Sequence, residues 1–185
     1  NLMADLQKYF LAILPPKEFR EQVHDLKLSL KEEFGVKYAL KSPAHITLKM
    51  PFLYNSNKED RLVEALKNFN QGFSPFPLSI RGVDQFRRRV LFLSVAKQPK
   101  LFELQDGLRI FGKRDLKLNL ELSDTNYHPH LTVAFQDIKK GQFDSIRLRV
   151  EKAGLEVDFK VGSYYLLKRK NGLWEPQTEI FLAET

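Results

Sequence analysis

The sequence contains no cysteine among its 185 residues. This absence excludes disulfide bonds, thiolate zinc sites and a cysteine nucleophile, so any chemistry must come from other side chains. Long hydrophobic runs are also missing, since the apolar stretch YFLAIL at residues 9–14 is too short to span a membrane. That stretch lacks the basic flank and cleavage site of a secretion signal. We therefore expect a cytoplasmic protein with no membrane partner.

Acidic residues are outnumbered, with 23 Asp and Glu against 30 Lys and Arg, which gives a net charge of +7. This balance favours a polyanionic partner through long-range attraction. The densest basic stretch, Arg87, Arg88 and Arg89, fits a solvated hairpin end as well as it fits an RNA contact. Apolar residues make up 43% of the chain, enough for the sizeable core of one domain.

The chain is organised as two similar halves. Segments starting at Tyr9 and Leu91 each consist of a strand, a Pro-Lys dipeptide, a helix and a Phe-Gly dipeptide. Apolar residues in each helix recur at helical spacing, so each helix should press one face on a sheet. We predict that these helices end at Gly35 and Gly112.

The downstream parts correspond as well. Ser56 and Glu59 form a predicted capping box before the next helix of the first half. In the second half, the matching helix is predicted to end at Gly154. Strands with period-two apolar residues follow both helices, and the last two strands are predicted to turn at Asn171-Gly172. We predict one bilobal domain, residues 1–185, with pseudo-repeats at roughly 9–88 and 89–185.

Each half contains a His-x-Thr sequence on a predicted strand: HITL begins at His45 and HLTV begins at His130. Side chains two residues apart on a strand share a face, so Thr47 and Lys49 should line up with the first histidine and Thr132 with the second. The chain has only four histidines, so two such pairs in matching contexts are unlikely to be accidental. Two similar lobes could turn these faces towards one cleft.

Such a cleft suits displacement at phosphorus. One group must take a proton from the nucleophile, and another must give a proton to the leaving oxygen. With an ordinary pKa near 6.5, one of the imidazoles of His45 and His130 can be neutral and the other protonated. The hydroxyls of Thr47 and Thr132 could donate to nonbridging phosphate oxygens, and Lys49 could offset the phosphate charge.

The sequence resembles the 2H phosphoesterases, in particular the 2'-5' RNA ligase-like cyclic phosphodiesterases. The resemblance lies in HITL, HLTV, their separation and the strand-helix segments that precede them. It implies an α+β fold of two pseudo-twofold lobes, in which antiparallel-rich sheets line a central cleft and helices lie outside.

The resemblance also implies a function. The protein would act on 2',3'-cyclic phosphate or 2'-5' phosphodiester ends, with RNA ends or cyclic nucleotides as substrates and no metal or cofactor. By the same resemblance, His130 is the base that activates water and His45 the acid, while Thr47 and Thr132 hold the phosphate. A basic residue at the position of Lys49 also resembles the family. We expect a monomer.

Other interpretations of these residues stay open. His128 and His130 form a His-x-His pair that could bind a metal, although the sequence shows no further ligands at a recognisable spacing. The cleft could also belong to a module that binds a nucleotide or RNA end without catalysis, or to a 2'-5' RNA ligase. His24 is interpreted as a structural residue. Four aromatic residues near strand ends could stack on a base, but core or rim packing is the more common role: Phe52, Phe86, Phe135 and Trp174.

Overall fold

The computed structural model describes residues 5–184. The strands are β1 (Leu6–Ile13), β2 (Ile46–Asn55), β3 (Phe76–Phe86), β4 (Val90–Val95), β5 (His130–Phe135), β6 (Val157–Val161), β7 (Ser163–Lys170) and β8 (Leu173–Phe181). The helices are α1 (Lys17–Phe34), α2 (Glu59–Phe69), α3 (Pro99–Arg114), α4 (Leu122–Thr125) and α5 (Phe143–Ala153). Residues 1–4 and 185 of the predicted domain lie outside the described residues. None of the helices within 5–184 has the length and apolar composition needed to cross a membrane.

The strands form two four-stranded antiparallel sheets, in the orders β2-β1-β7-β8 and β5-β4-β3-β6. The predicted α+β fold with two antiparallel sheets is thereby confirmed. Each sheet combines strands from both parts of the chain, because β7 pairs with β1 and β3 pairs with β4. The motif strands β2 and β5 occupy equivalent edge positions of the two sheets.

Strand β1 is buried on both of its faces. Tyr9, Leu11 and Ile13 join the main hydrophobic core, which extends over both sheets and the long helices. On the opposite face, Phe10 and Ala12 form a smaller cluster with Leu167 of β7. Phe10 on this second face also lines a cavity of about 410 Å³, the central cavity.

Two predicted helix ends and one predicted turn are confirmed. Helix α1 ends before Gly35, whose φ of 75° lies in the left-handed region that glycine adopts without strain. Helix α5 ends in the same way before Gly154, with φ 56°. The turn between β7 and β8 lies at Asn171 and Gly172, which both have positive φ, as a tight antiparallel hairpin requires.

Two predicted helix boundaries are wrong. Helix α3 continues through Gly112 to Arg114, because Gly112 does not adopt the positive φ with which a glycine ends a helix. The capping box of Ser56 and Glu59 does not form. Residues 56–58 instead form a 3₁₀ turn, in which the side chain of Asn55 accepts a hydrogen bond from the backbone N–H of Asn57. Helix α2 therefore begins only at Glu59.

Candidate active site

Both His-x-Thr pairs line a single cavity of about 410 Å³. His45 immediately precedes β2 and His130 is the first residue of β5, so each histidine stands at the start of an edge strand. Thr47 and Thr132 follow two residues later, and both are partly exposed to the cavity. The fold therefore brings together the four side chains that the sequence singles out.

Strand β2 carries a β-bulge directly after its threonine. Thr47 pairs with Ala12, but Lys49 pairs with Leu11, so the intervening Leu48 has no partner of its own. A bulge interrupts the alternation of faces along a strand. The residue two positions after the threonine consequently lies on the core side of the sheet.

Strand β5 carries a bulge at the matching position. Thr132 pairs with Phe92 and Ala134 pairs with Leu91, which leaves Val133 as the extra residue. Val133 and Ala134 are both buried in the main core. The two motif strands therefore share an irregularity as well as a sequence.

The prediction that Lys49 shares a face with Thr47 and contacts phosphate is wrong. Because of the bulge, the Lys49 side chain is only 1% exposed, and its Nζ donates to Oδ2 of Asp124 at 2.7 Å and to the carbonyl of Met50 at 3.1 Å. The next residue, Met50, lines the cavity in its place. Lys49 therefore stabilises the fold beneath the site.

Asp124 fastens the segment before β5 to the edge of β2. Its Oδ1 accepts a hydrogen bond from the backbone N–H of Met50 at 2.8 Å, in addition to the ion pair with Lys49. Nearby, the hydroxyl of Tyr127 donates to the carbonyl of Thr47 at 2.7 Å. These bonds satisfy backbone groups of an edge strand and tie the chain that leads into one motif to the strand of the other.

A reciprocal attachment joins the segment before β2 to the end of β5. Oδ2 of Asp137 accepts hydrogen bonds from the backbone N–H groups of Lys37 and Tyr38, at 2.9 and 3.0 Å. The Tyr38 ring packs edge-on against Phe135, with the ring centroids 5.0 Å apart. The segment that precedes each histidine is thus attached to the opposite sheet, which holds both histidines at one cavity.

The two imidazoles are oriented by the same backbone device. Nδ1 of His45 lies 2.8 Å from the carbonyl of Pro43, and Nδ1 of His130 lies 2.7 Å from the carbonyl of His128. A carbonyl only accepts hydrogen bonds, so we assign the proton of each neutral ring to Nδ1. In both copies this leaves Nε2 as the ring nitrogen without a proton of its own, available to accept one.

Burial lowers the pKa of both histidines. For His45, loss of hydration lowers the pKa to about 4; the bond to the Pro43 carbonyl opposes this shift, and the nearby positive charge of Lys27 adds to it. Burial also lowers the pKa of His130. Both imidazoles are therefore neutral near pH 7 when the cavity holds no anion.

We expect the free energy of unfolding to fall as the pH is lowered from about 6.5 towards 4. Unfolded His45 takes up a proton near pH 6.5, whereas in the folded protein its pKa is about 4, so acid favours the unfolded state in this interval. Urea unfolding at several pH values measures the effect. The variant His45→Gln should lose part of this dependence, whereas His24→Gln should retain it; equal dependence in both variants would contradict the assignment.

Three cations that sequence reasoning missed also line the cavity: Lys8, Lys41 and Arg169. No aspartate or glutamate is among the residues of this lining, so the cavity favours an anion. Lys8 and Phe10 are two residues apart on β1 and so share a face, and the Phe10 ring lies 5.0 Å from that of His45. The period of the strand could therefore have indicated that Lys8 lies near the site. Nothing in the sequence distinguished Arg169 from an ordinary charge on an exposed hairpin.

The aromatic candidates separate into two groups. Phe86, Phe135 and Trp174 line the cavity, where they could contact a nucleobase. Phe52 instead lies in the main core and stacks on Tyr9, with the ring centroids 6.0 Å apart. Some of these aromatic residues thus line the cavity and one packs in the core, a difference that the sequence alone does not show.

His128 lies beside His130, with the ring centroids 6.4 Å apart, and lines an adjoining cavity of about 320 Å³. Within residues 5–184, no group of three or more His, Asp or Glu side chains is close enough to hold a metal ion. The described part of the chain therefore offers the His-x-His pair no third protein ligand. His24 is exposed on α1 and lines neither of these two cavities.

Comparisons with known proteins identify a matching family, similar sequences and a similar fold. A sequence model of the family described as the 2'-5' RNA ligase superfamily matches residues 15–173. Proteins named "Putative phosphoesterase" in Bacillus mycoides and Halalkalibacterium halodurans are 25% and 27% identical, and each alignment covers 90% of this chain and 92% of the relative. The crystal structure of E. coli LigT complexed with 3'-AMP has the same fold, with a TM-score of 0.62 at 18% identity over 97% of this chain and 99% of LigT.

Proposed function

Because the chain belongs to the 2'-5' RNA ligase superfamily, we propose that it is a metal-independent phosphodiesterase acting on 2',3'-cyclic phosphate or 2'-5' phosphodiester ends of RNA or nucleotides. One observation carries the proposal: two histidines line one cavity, and a backbone carbonyl two residues earlier holds Nδ1 of each. The 3'-AMP bound to LigT, a protein of the same fold, supports a nucleotide substrate.

In the proposed reaction, the two imidazoles divide the proton transfers. Nε2 of His130 accepts a proton from water while the water oxygen forms a bond to phosphorus. The bond between phosphorus and the ribose oxygen breaks, and the departing oxygen keeps the electron pair and takes a proton from Nε2 of His45. The products are a ribose hydroxyl and a phosphate monoester. The assignment of base and acid follows the resemblance to the 2H phosphoesterases.

The acid must be protonated before it can act, although burial lowers the pKa of His45 to about 4 in the free protein. A bound phosphodiester carries a negative charge, which favours the imidazolium and raises this pKa. The substrate therefore helps to charge its own acid. Lys8, Lys41 and Arg169 offset the remaining negative charge and draw the anion into the cavity.

The proposal is tested by incubating the purified protein with nucleoside 2',3'-cyclic phosphates, and with an oligoribonucleotide that ends in a cyclic phosphate, in the presence of EDTA. We expect each product to carry a terminal phosphate monoester. Binding without turnover would show that the protein is a binding module and not an enzyme. Activity that disappears in EDTA and returns with zinc or manganese would instead make His128 and His130 metal ligands.

Removing either threonine hydroxyl should weaken transition-state stabilisation without removing a proton carrier. We expect Thr47→Ala and Thr132→Ala each to lower kcat/KM by the equivalent of about 1.5–3 kcal/mol, the contribution of one donor to a charged oxygen. Thr→Ser at the same positions retains the hydroxyl and serves as the matched control. Equal losses in the Ala and Ser variants would show that packing of the methyl group, and not donation to phosphate, is responsible.

A further inference from the structure

A cavity of about 460 Å³ adjoins the candidate active site at the far end of β5. We name it the arginine groove and define it by its lining: Arg88, Arg89, Val90, Phe135, Gln136 and Ile138. The last residue of β5, Phe135, lines both the groove and the central cavity, as do Val90 and Gln136. A ligand in the central cavity can therefore extend into the groove along a shared wall.

The groove lies close to the predicted phosphate position. Thr132 and Phe135 are three residues apart on β5, which corresponds to roughly 10 Å at the usual rise of a strand. Val90 of β4 pairs with Phe135, and Arg89 directly precedes Val90 in the chain. Arg89 is therefore next to this end of β5. A short stretch of sugar-phosphate backbone can cover this separation.

The two arginines of the groove have different surroundings. Arg88 is engaged within the protein, because its guanidinium contacts Asp144 at 2.9 Å and lies over the Phe143 ring, 4.8 Å from the centroid. Among residues 5–184, none of the ion pairs within 4.0 Å includes Arg89. Arg89 is exposed, and its planar donors match the oxygens of a phosphate.

We propose that the arginine groove, through Arg89, binds the phosphate next to the one that reacts when the substrate is an oligonucleotide. This inference rests on the proposed function, to which it adds a residue that distinguishes an oligonucleotide from a mononucleotide. A nucleoside 2',3'-cyclic phosphate has only one phosphate and would leave Arg89 without a ligand. The net charge of +7 supports the binding of a polyanion. The wall shared by the two cavities allows one ligand to occupy both.

The test compares Arg89→Gln with Arg87→Gln. Both substitutions remove one positive charge from the same exposed turn, but Arg87 does not line the groove. With an oligoribonucleotide ending in a 2',3'-cyclic phosphate, Arg89→Gln should lower kcat/KM by about 5–10-fold and reduce the salt slope by about 1. With the matching nucleoside 2',3'-cyclic phosphate, Arg89→Gln should have the activity of the unmodified protein.

Equal losses in the Arg87 and Arg89 variants, or equal losses with both substrates, would overturn the proposed subsite while leaving the phosphodiesterase intact. If the unmodified protein turns over neither substrate, the proposed function fails instead. Binding of the same oligonucleotide to the three proteins then tests the groove by itself. Weaker binding by Arg89→Gln than by Arg87→Gln supports the groove, and equal binding refutes it.

Discussion

Replacing His45 or His130 with alanine should reduce turnover of a 2',3'-cyclic phosphate by about 10²–10⁴-fold, the usual contribution of a positioned acid or base. Either variant loses one of the two proton carriers that line the cavity, while both threonines remain. Steady-state kinetics at saturating substrate measures the loss in kcat. Because the cavity walls and cations are retained, substrate binding should fall much less than turnover.

The control for this experiment is His24→Ala, since His24 is exposed on α1 and does not line the central cavity. This variant should retain nearly full activity. The unmodified protein should show a bell-shaped dependence of rate on pH, because turnover needs one neutral and one protonated imidazole. Each alanine variant should flatten that dependence. A histidine variant with unchanged kcat would remove that residue from the mechanism.

Asp124→Asn should destabilise the fold by about 3–5 kcal/mol, because it leaves a buried lysine without its counter-ion. The ion pair of Lys49 and Asp124 is only 1% exposed on each side, so water cannot replace the lost partner. Equilibrium unfolding in urea measures the change in free energy. The double variant Asp124→Asn/Lys49→Met removes the stranded charge and should therefore be more stable than the single variant.

The matched control is an exposed ion pair, Arg81 with Asp158, whose side chains are 57% and 67% exposed. Asp158→Asn should destabilise the fold far less than Asp124→Asn, since surface ion pairs contribute little. If Asp124→Asn cost no more than Asp158→Asn, the buried pair would not hold the two motif segments together. A double variant no more stable than Asp124→Asn would show that the lost hydrogen bonds, and not the stranded charge, explain the cost.

The sequence predicts the local features of this fold well. Apolar spacing and a following glycine locate the end of α1 at Gly35 and that of α5 at Gly154, because a left-handed residue is a local requirement. The Asn171-Gly172 turn is predictable for the same reason. The meeting of His45 and His130 follows from two matching sequences and the side-chain period of a strand.

The features that could not be predicted depend on distant partners. The bulge at Leu48 is defined by how β2 pairs with β1, and no residue close to it in the sequence indicates it. That single extra residue moves Lys49 from the predicted phosphate contact to a buried ion pair with Asp124, 75 positions away. The pairing of β7 with β1 is equally non-local, so the place of Arg169 at the cavity was not visible in the sequence.

A substrate with a much better leaving group tests whether His45 and His130 divide two proton transfers between them. Such a leaving group needs little protonation as it departs, so it should restore turnover to the variant that lacks the acid. We predict that kcat of His45→Ala recovers towards that of the unmodified protein with this substrate, whereas His130→Ala stays impaired. Recovery of His130→Ala alone would exchange the two roles. Recovery of neither variant, with substrate binding intact in both, would contradict the division of proton transfer itself.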